Sequence, residues 1–145
     1  MTSATILFLC TGNFYRSRMA EEMFNHLAEA RGLQAQAFSR GLAASFENNG
    51  NVGSFSPFAL RMLTRYGIKP RRVDEFPQRV TEGELRDSDV VIGLYQRDHE
   101  PMIAEQFPEL AAKVIYWSVP DLDEMAAVDA GEMVYRRILE LAEQF

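Results

Sequence analysis

The order of apolar and polar positions along the chain predicts strands that alternate with helices. The run from Ile6 to Leu9 is short and wholly apolar, which is typical of a strand buried on both faces of a parallel sheet. The segment from Asp89 to Tyr95 has the same character. Weaker strands are predicted over Gln34 to Ser39 and Val114 to Trp117, with a further short strand near Arg72 to Phe76.

Between these strands, apolar residues recur at spacings of three and four, which indicates amphipathic helices. The first predicted helix runs from Ser17 to Arg31. Its polar face is expected to point away from the core and comprises Glu21, Glu22, Asn25 and Glu29. Ser56 with Pro57, and Thr81 with Glu84, are typical starts of helices. The later helices are predicted from Pro57 to Tyr66, from Thr81 to Arg86, from Arg97 to Gln106 with an interruption near Pro101, and from Met125 to Phe145.

Strands and helices in this alternation form βαβ units around a parallel sheet, so the predicted fold class is α/β. Because no repeat or linker is visible, residues 1–145 are expected to form one domain. Ligands of such sheets bind beyond the carboxyl ends of the strands. Cys10 follows one predicted strand directly, and Asp121 comes shortly after another.

Composition narrows the classes of function. A net charge of −6 argues against a general nucleic-acid binder, and the longest apolar runs are far below the roughly 20 residues of a membrane span. The first residues carry no positive charge before the apolar run, unlike a secretory signal. A single cysteine excludes an internal disulfide and a multi-cysteine metal site. We therefore expect a cytoplasmic protein without nucleic-acid or membrane partners, and without a metal or cofactor.

Two histidines were considered as metal ligands. His26 and His99 lie on predicted helices, and neither has a persuasive second ligand at the right spacing. Both are predicted to be surface or partly packed residues.

The segment from Cys10 to Ser17 carries the candidate chemistry, because it leaves a buried strand and enters a helix. Backbone N–H groups of such a loop converge on one point, and the helix N-terminus adds partial positive charge. Gly12 permits close approach of the backbone, and Asn13 tolerates the left-handed region. Arg16 offers a planar fork that matches two phosphate oxygens. The same donors stabilise a thiolate at Cys10, so the loop predicts an oxyanion site with a nucleophile for phosphoryl transfer.

A lone cysteine at the end of an apolar strand is more often a small buried hydrophobe. The spacing of Cys10 from Arg16 and Ser17, between a strand and a helix, outweighs that interpretation.

With this loop, the sequence resembles the low-molecular-weight protein tyrosine phosphatases and their relatives, the thioredoxin-coupled arsenate reductases. The similarity covers nearly the whole chain and is carried by Leu7 to Asn13, Arg16-Ser17, Met19 to Glu21, Ser56 to Leu60, Gly67-Ile68, Ser88 to Ile92, and Trp117 to Asp121. The resemblance implies a three-layer sandwich in which helices flank a four-stranded parallel sheet.

The resemblance also implies an activity: metal-independent hydrolysis of phosphomonoesters through a phosphocysteine intermediate, with protein phosphotyrosine as the substrate. It identifies Cys10 as the nucleophile, Arg16 as the phosphate ligand and Asp121 as the general acid. Asn13 is implied to hold the shape of the loop, and Ser17 to donate to the thiolate. The implied phosphate-binding residues are Thr11, Gly12, Asn13, Phe14, Tyr15, Arg16 and Ser17. The expected partners are a phosphorylated protein or small phosphomonoester, with inorganic phosphate or another oxyanion in the site.

Asp121 also makes chemical sense without the resemblance, because a departing alkoxide or phenoxide needs a proton from a carboxylic acid opposite the nucleophile. Spacing alone leaves Asp121 and Asp123 equally open, since either could cap the helix that follows. The resemblance favours Asp121.

Several positions depart from the family pattern. Leu122 replaces the proline that usually follows the aspartate, and Asp123-Glu124 replace tyrosines that pack against an aromatic substrate ring. Arg18 stands in place of a usual proline. Many members of the family have a histidine just before the position of Gln78, where it supports the loop. This chain has no histidine there, so the polar network behind Asn13 must be built differently from theirs. The candidates for a replacement aromatic wall are Phe14, Phe46 and Phe55, although loop packing is the simpler role for the latter two.

Two alternative functions stay open at this point. An arsenate reductase that uses an external thiol would keep Cys10 and Arg16, whereas the lone cysteine excludes a disulfide cascade within one chain. A phosphate-binding or phosphoprotein-binding module would keep the loop with little turnover.

Overall fold

A four-stranded parallel sheet forms the centre of the protein. The computed structural model describes residues 3–145, and the strands have the order β2-β1-β3-β4. They are β1 (Ala4–Cys10), β2 (Ala35–Gly41), β3 (Val90–Gly93) and β4 (Ile115–Tyr116). All three pairings are parallel, so the carboxyl ends of the strands meet at one edge of the sheet.

Helices cover both faces of the sheet. They are α1 (Arg16–Arg31), α2 (Pro57–Arg65), α3 (Glu82–Asp87), α4 (Gln96–Gln106) and α5 (Ala127–Ala142), with a 3₁₀ helix at Pro108–Lys113. Apolar residues of α1, α2 and α5 belong to one buried cluster, and those of α3, α4 and the 3₁₀ helix belong to a second. This arrangement confirms the predicted α/β sandwich.

The apolar run in β1 supplies both clusters at once. Ile6 and Phe8 belong to the cluster under α1, whereas Leu7 and Leu9 belong to the cluster under α4, and all four are fully buried. Because successive side chains of a strand point to opposite faces, a strand between two helical layers has no polar face. The core holds β1 rigidly and thereby sets the position of Cys10 at its end.

Two predicted helix starts are confirmed. The Ser56 hydroxyl accepts from the backbone N–H groups of Phe58 and Ala59, with Pro57 in the first turn. Thr81 and Glu84 form the predicted capping box at the start of α3.

Three other predictions are wrong. Residues 72–76 form a turn rather than a strand, and the carbonyl of Arg72 accepts from the Glu75 N–H (3.1 Å) and the Arg18 guanidinium (2.7 Å). These two donors, a nearby backbone N–H and a side chain, supply the hydrogen bonds that a partner strand would otherwise make. Helix α4 continues through Pro101, because the φ that the proline ring fixes is compatible with a helix, although the residue has no N–H to donate. Helix α5 begins at Ala127 rather than Met125, whose N–H instead closes a turn onto Asp121.

Three of the four residues on the polar face of α1 are buried or half-buried, contrary to the prediction. Glu22 accepts the backbone N–H groups of Arg71 and Arg72, each at 2.9 Å, and Asn25 exchanges two hydrogen bonds with the backbone of Ala37. Glu21 is also fully buried. The reason is that β2 and the segment after α2 pack over this face and offer it polar partners. Only the fourth position, Glu29, is exposed as predicted.

Within residues 3–145, no helix combines the length and apolar character needed to cross a membrane.

Candidate active site

The segment between Cys10 and Arg16 joins the carboxyl end of β1 to the first turn of α1. Asn13 has φ +50°, the left-handed conformation predicted for it. A Cβ at Gly12 would lie 3.2 Å from the side-chain amide nitrogen of Asn51, a tight contact that a small movement of this exposed side chain relieves. The loop therefore has the strand–turn–helix context expected of an oxyanion site.

A chain of hydrogen bonds runs behind the loop to the cysteine. The Ser17 Oγ lies 2.9 Å from the Cys10 Sγ. The Asn13 amide donates to Ser17 Oγ and to Ser39 Oγ, both at 3.0 Å, and Ser39 donates to the Glu21 carboxylate at 2.7 Å. When Cys10 is a thiolate, which has no hydrogen to give, the Ser17 hydroxyl is the donor in this contact. The chain thus aims a donor at Cys10.

This network is built without a histidine, as the sequence requires. The Asn13 Oδ1 accepts the backbone N–H of Gln78 at 2.9 Å, so both ends of the amide are used. Glu21, at the far end of the network, lies 3.3 Å from the Arg72 guanidinium. Burial raises the pKa of Glu21, and this ion pair and the Ser39 hydrogen bond oppose the rise.

Arg18, where relatives carry proline, is fully buried beside this network. Its guanidinium donates to the carbonyls of Ser54 (3.0 Å) and Arg72 (2.7 Å) and lies over the Phe55 ring at 4.8 Å. It therefore holds the segments on either side of α2 against α1.

Arg16 brings the loop together with the segment that follows β4. Its guanidinium, which is 3% exposed, donates to the Val119 carbonyl at 3.0 Å and lies 3.6 Å from Asp121 Oδ2. The other oxygen, Oδ1, accepts the N–H of Leu122 at 2.8 Å. A proline at position 122 has no N–H to donate, so this contact depends on the departure from the family pattern.

The segment after Asp121 is tied to α4. Glu124 accepts from both terminal nitrogens of Arg97, at 2.6 and 2.9 Å, and the Asp121 carbonyl accepts the N–H groups of Glu124 and Met125. A bidentate pair has a better-defined geometry than a surface ion pair with a single contact. The Arg97–Glu124 pair and the hydrogen bonds to the Asp121 carbonyl together hold this turn near α4.

A cavity of about 380 Å³ opens where these groups meet. Cys10, Arg16 and Asp121 line it, whereas Asp123 does not. Its apolar walls are Phe14, Val52, Pro57, Phe58 and Leu122. A cavity with a few converging polar groups and apolar walls has the character of a small-molecule or side-chain binding site.

The aromatic wall differs in part from the sequence candidates. Phe14 lines the cavity, but Phe55 is buried beneath Arg18, and Phe46 packs on Gly41, where a Cβ would lie 2.7 Å from its ring. Phe58, in the first turn of α2, was not predicted for this role. Its position two residues after the Ser56 cap was a signal only of the helix start.

The predicted phosphate-binding residues divide into two groups. Gly12, Phe14, Tyr15 and Arg16 line the cavity with Cys10. The side chains of the others make contacts behind the loop, and these are Thr11, Asn13 and Ser17. Burial raises the pKa of Tyr15 to about 12, with the nearby negative charge of Asp121 as the next cause, so its hydroxyl stays protonated.

His99 is fully buried, which overturns its prediction as a surface or partly packed residue. Its Nδ1 accepts the backbone N–H of Tyr95 at 2.9 Å, and its Nε2 lies 3.1 Å from Thr11 Oγ1. Burial lowers the pKa of His99 to about 3, and the positive charge of Arg16 adds to the effect. Helical periodicity could not show that α4 turns this side chain toward the loop. His26, by contrast, is exposed as predicted.

Across residues 3–145, no cluster of His, Cys, Asp and Glu has a geometry suited to a metal ion.

Comparison with known proteins confirms the resemblance seen in the sequence. The family model of the low molecular weight phosphotyrosine protein phosphatases matches residues 5–131. The protein-arginine-phosphatase of Bacillus subtilis (strain 168) is 34% identical over 109 residues, which cover 75% of this chain and 67% of the relative.

Solved structures agree on the fold. A low molecular weight protein tyrosine phosphatase from T. tengcongensis superimposes with a TM-score of 0.82 at 28% identity, covering 99% of this chain and 100% of that one. A mutant of YwlE from Bacillus subtilis gives a TM-score of 0.80 at 27% identity, covering 98% of both chains.

Proposed function

The chain belongs to the low molecular weight phosphotyrosine protein phosphatase family, and we propose that it hydrolyses protein phosphotyrosine through a phosphocysteine intermediate. The observation that carries this proposal is the single cavity in which the Cys10 sulfur, the Arg16 guanidinium and the Asp121 carboxyl meet between apolar walls.

In the first step the Cys10 thiolate attacks phosphorus and the bond to the tyrosine oxygen breaks. Arg16 and the backbone N–H groups of the loop bind the equatorial oxygens, where charge develops. Asp121, protonated, gives its proton to the leaving phenolate oxygen. The Ser17 hydroxyl, directed to the sulfur by Asn13, stabilises the thiolate before the attack.

In the second step a water molecule attacks the phosphocysteine. Asp121, now a carboxylate, takes a proton from that water, the sulfur–phosphorus bond breaks, and inorganic phosphate leaves. The electron pair of the broken bond returns to the Cys10 sulfur. The proton on Asp121 is then in place for the next substrate.

The side chains that line the cavity favour a substrate with an aromatic ring. Phe14 and Phe58 offer rings, and Leu122 adds an aliphatic surface, on the path from the phosphate loop to solvent. Rings pack favourably against such surfaces in offset or edge-on arrangements. Phe58 thereby supplies, from α2, the aromatic contact that relatives take from tyrosines after the general acid.

Phosphoarginine in proteins is the second candidate substrate. The relative that is 34% identical is a protein-arginine-phosphatase. The Asp121 side chain, 53% exposed beside the cavity, is a carboxylate that a guanidinium group could pair with. We rank it second because the walls otherwise carry no negative charge.

The proposal extends to the setting of the enzyme. Residues 1–145 act as one domain on a phosphorylated protein or small phosphomonoester, without metal or cofactor. A lone cysteine nucleophile has no internal partner for reversible protection, so a reducing cytoplasm suits it.

The decisive experiment compares two peptides of the same sequence that carry phosphotyrosine or phosphoarginine at one position, with phosphate release as the readout. Reduced wild-type protein and Cys10→Ser are assayed in parallel. We expect a higher kcat/KM for the phosphotyrosine peptide and no turnover in the variant.

The reverse preference would establish the second candidate. Release of phosphate by Cys10→Ser at the wild-type rate would contradict the nucleophile assignment. If reduced wild-type protein hydrolyses neither peptide, the hydrolase proposal is wrong. Arsenate-dependent consumption of an external thiol would then identify a reductase, and vanadate binding alone a binding module.

A further inference from the structure

A buried side chain that lies outside the cavity contacts the loop that follows Cys10. His99 lies on α4, and its Nε2 is 3.1 Å from the hydroxyl of Thr11, the residue that directly follows Cys10. His99 does not line the cavity. Any effect of His99 on the site is therefore transmitted through the loop.

The contacts of His99 determine its tautomer. Nδ1 accepts the backbone N–H of Tyr95, so this nitrogen carries a lone pair. In the neutral imidazole the hydrogen then lies on Nε2, which donates to Thr11 Oγ1. Full burial and the nearby guanidinium of Arg16 both oppose a charged imidazolium at this position.

Thr11 is thus held on two sides. Its carbonyl accepts the N–H groups of Leu42 (3.2 Å) and Ala43 (3.0 Å), which follow β2. Its hydroxyl accepts from His99, which follows β3. The first peptide units of the loop are therefore fastened between the two strands that flank β1.

We propose that His99 is a positioning residue for phosphate binding: its neutral imidazole holds Thr11 so that the loop's backbone N–H groups stay aimed at one point. Convergent donors gain their strength from being fixed before the ligand arrives. Without the bond, Thr11 keeps its contacts with residues 42 and 43, but the side of the loop facing α4 loses its constraint. This inference rests on the proposed function in one respect only, that the loop binds phosphate.

Two substitutions of His99 separate the two hydrogen bonds. The amide of asparagine reaches about as far as Nδ1, so His99→Asn keeps an acceptor for the Tyr95 N–H and loses the donor to Thr11. The amide of glutamine reaches about as far as Nε2, so His99→Gln keeps the donor to Thr11 and loses the acceptor for Tyr95. Each variant leaves one buried group without its partner, so the losses in stability are matched.

The probe is inorganic phosphate, and its Kd is measured by isothermal titration calorimetry for the wild type and both variants. We expect His99→Asn to raise the Kd about fivefold, which is the range of one hydrogen bond, and His99→Gln to stay near the wild type. Thr11→Val should match His99→Asn, since it removes the same bond from the other end. Thr11→Ser keeps the hydroxyl and should restore wild-type affinity.

A purely structural role gives a different pattern. If both His99 variants melt at a lower temperature but bind phosphate as the wild type does, the proposal is overturned. It is also overturned if His99→Gln and His99→Asn weaken binding equally, or if the wild type binds no phosphate.

Calorimetry does not depend on turnover. A wild type that binds phosphate but hydrolyses neither peptide would contradict the proposed hydrolysis. The pattern among the variants would still decide the role of His99.

Discussion

The hydroxyl of Ser39 donates to the buried carboxylate of Glu21 at 2.7 Å, and this contact ends the chain of hydrogen bonds behind the loop from Cys10 to Ser17. Ser39 must then accept from Asn13 rather than donate to it. Asn13 uses its second amide hydrogen on Ser17, whose hydroxyl lies 2.9 Å from the Cys10 sulfur and donates to it when the sulfur is a thiolate. Hydrogen bonds thus link a carboxylate on α1 to the cysteine on β1.

Removal of the Ser39 hydroxyl should weaken both the fold and the reaction. Ser39→Ala leaves one Asn13 hydrogen and one oxygen of the Glu21 carboxyl without partners in a buried site, at a cost of about 1–3 kcal/mol in the free energy of unfolding. The Asn13 amide, which donates to Ser17, is then held by fewer contacts, and kcat for p-nitrophenyl phosphate should fall. Urea unfolding and steady-state kinetics measure the two effects. Ser45→Ala, at an exposed serine, is the control and should change neither.

Loss of the Asp121 carboxyl should depend on the leaving group. Asp121→Asn cannot protonate the departing oxygen, so kcat for phenyl phosphate should drop by about 10²-fold or more. Because p-nitrophenolate is a good leaving group that needs little protonation, the decrease in kcat for p-nitrophenyl phosphate should be clearly smaller. Asp123→Asn is the matched control, because Asp123 lies outside the cavity. Equal losses for both substrates, or a larger effect in the control, would contradict the role of Asp121.

Phe58 should contribute to binding of the substrate ring. Phe58→Ala removes an aromatic wall whose contact is worth about 1 kcal/mol, so KM for a phosphotyrosine peptide should rise about fivefold. The effect on phosphoserine peptides should be small, since they lack a ring. Leu60→Ala, on the same helix but outside the cavity, serves as the control. An unchanged KM in Phe58→Ala would place the ring elsewhere.

Acid should destabilise the protein through His99. Its pKa is about 3 in the folded chain and about 6.5 when unfolded, so between these values the unfolded chain binds the proton and the folded chain does not. The contribution of His99 to the free energy of unfolding is therefore fully present above about pH 6.5 and is lost as the pH falls. Between pH 7 and pH 5 the loss amounts to about 2 kcal/mol.

This dependence can be measured by urea unfolding at the two pH values. His99→Gln lacks the titrating group and should show a smaller fall over the same range. His26→Gln is the matched control at an exposed histidine and should follow the wild type. Parallel curves for the wild type and His99→Gln would show that His99 is not held neutral by the fold.

Features of the site that follow from neighbouring residues could be predicted from the sequence. The loop from Cys10 to Ser17 sits between a strand and a helix that are adjacent in the chain, and its left-handed Asn13 is a local property. The sequence also predicted that Asp121 follows a strand that ends at the same edge of the sheet as the loop, although only the family resemblance favoured it over Asp123. Its ion pair with Arg16 came from the tertiary structure.

Predictions failed where a residue's partner is distant in the chain. Glu21 and Glu22 have the spacing of a solvent-facing helix surface, yet β2 and the segment near Arg72 cover them. His99 and Phe58 have ordinary helical positions, and nothing local shows that one faces the loop and the other the cavity.

The sequence by itself therefore determined the α/β fold class, the strand–loop–helix segment from Cys10 to Ser17 and the family. These depend on periodicity and on motifs contained within a few turns of chain. Only the tertiary structure decided which polar residues support the loop and which apolar residues surround the cavity beside Cys10. Helical and strand periodicity reports which positions share a face of an element, whereas a side chain's partners depend on how separate elements pack together.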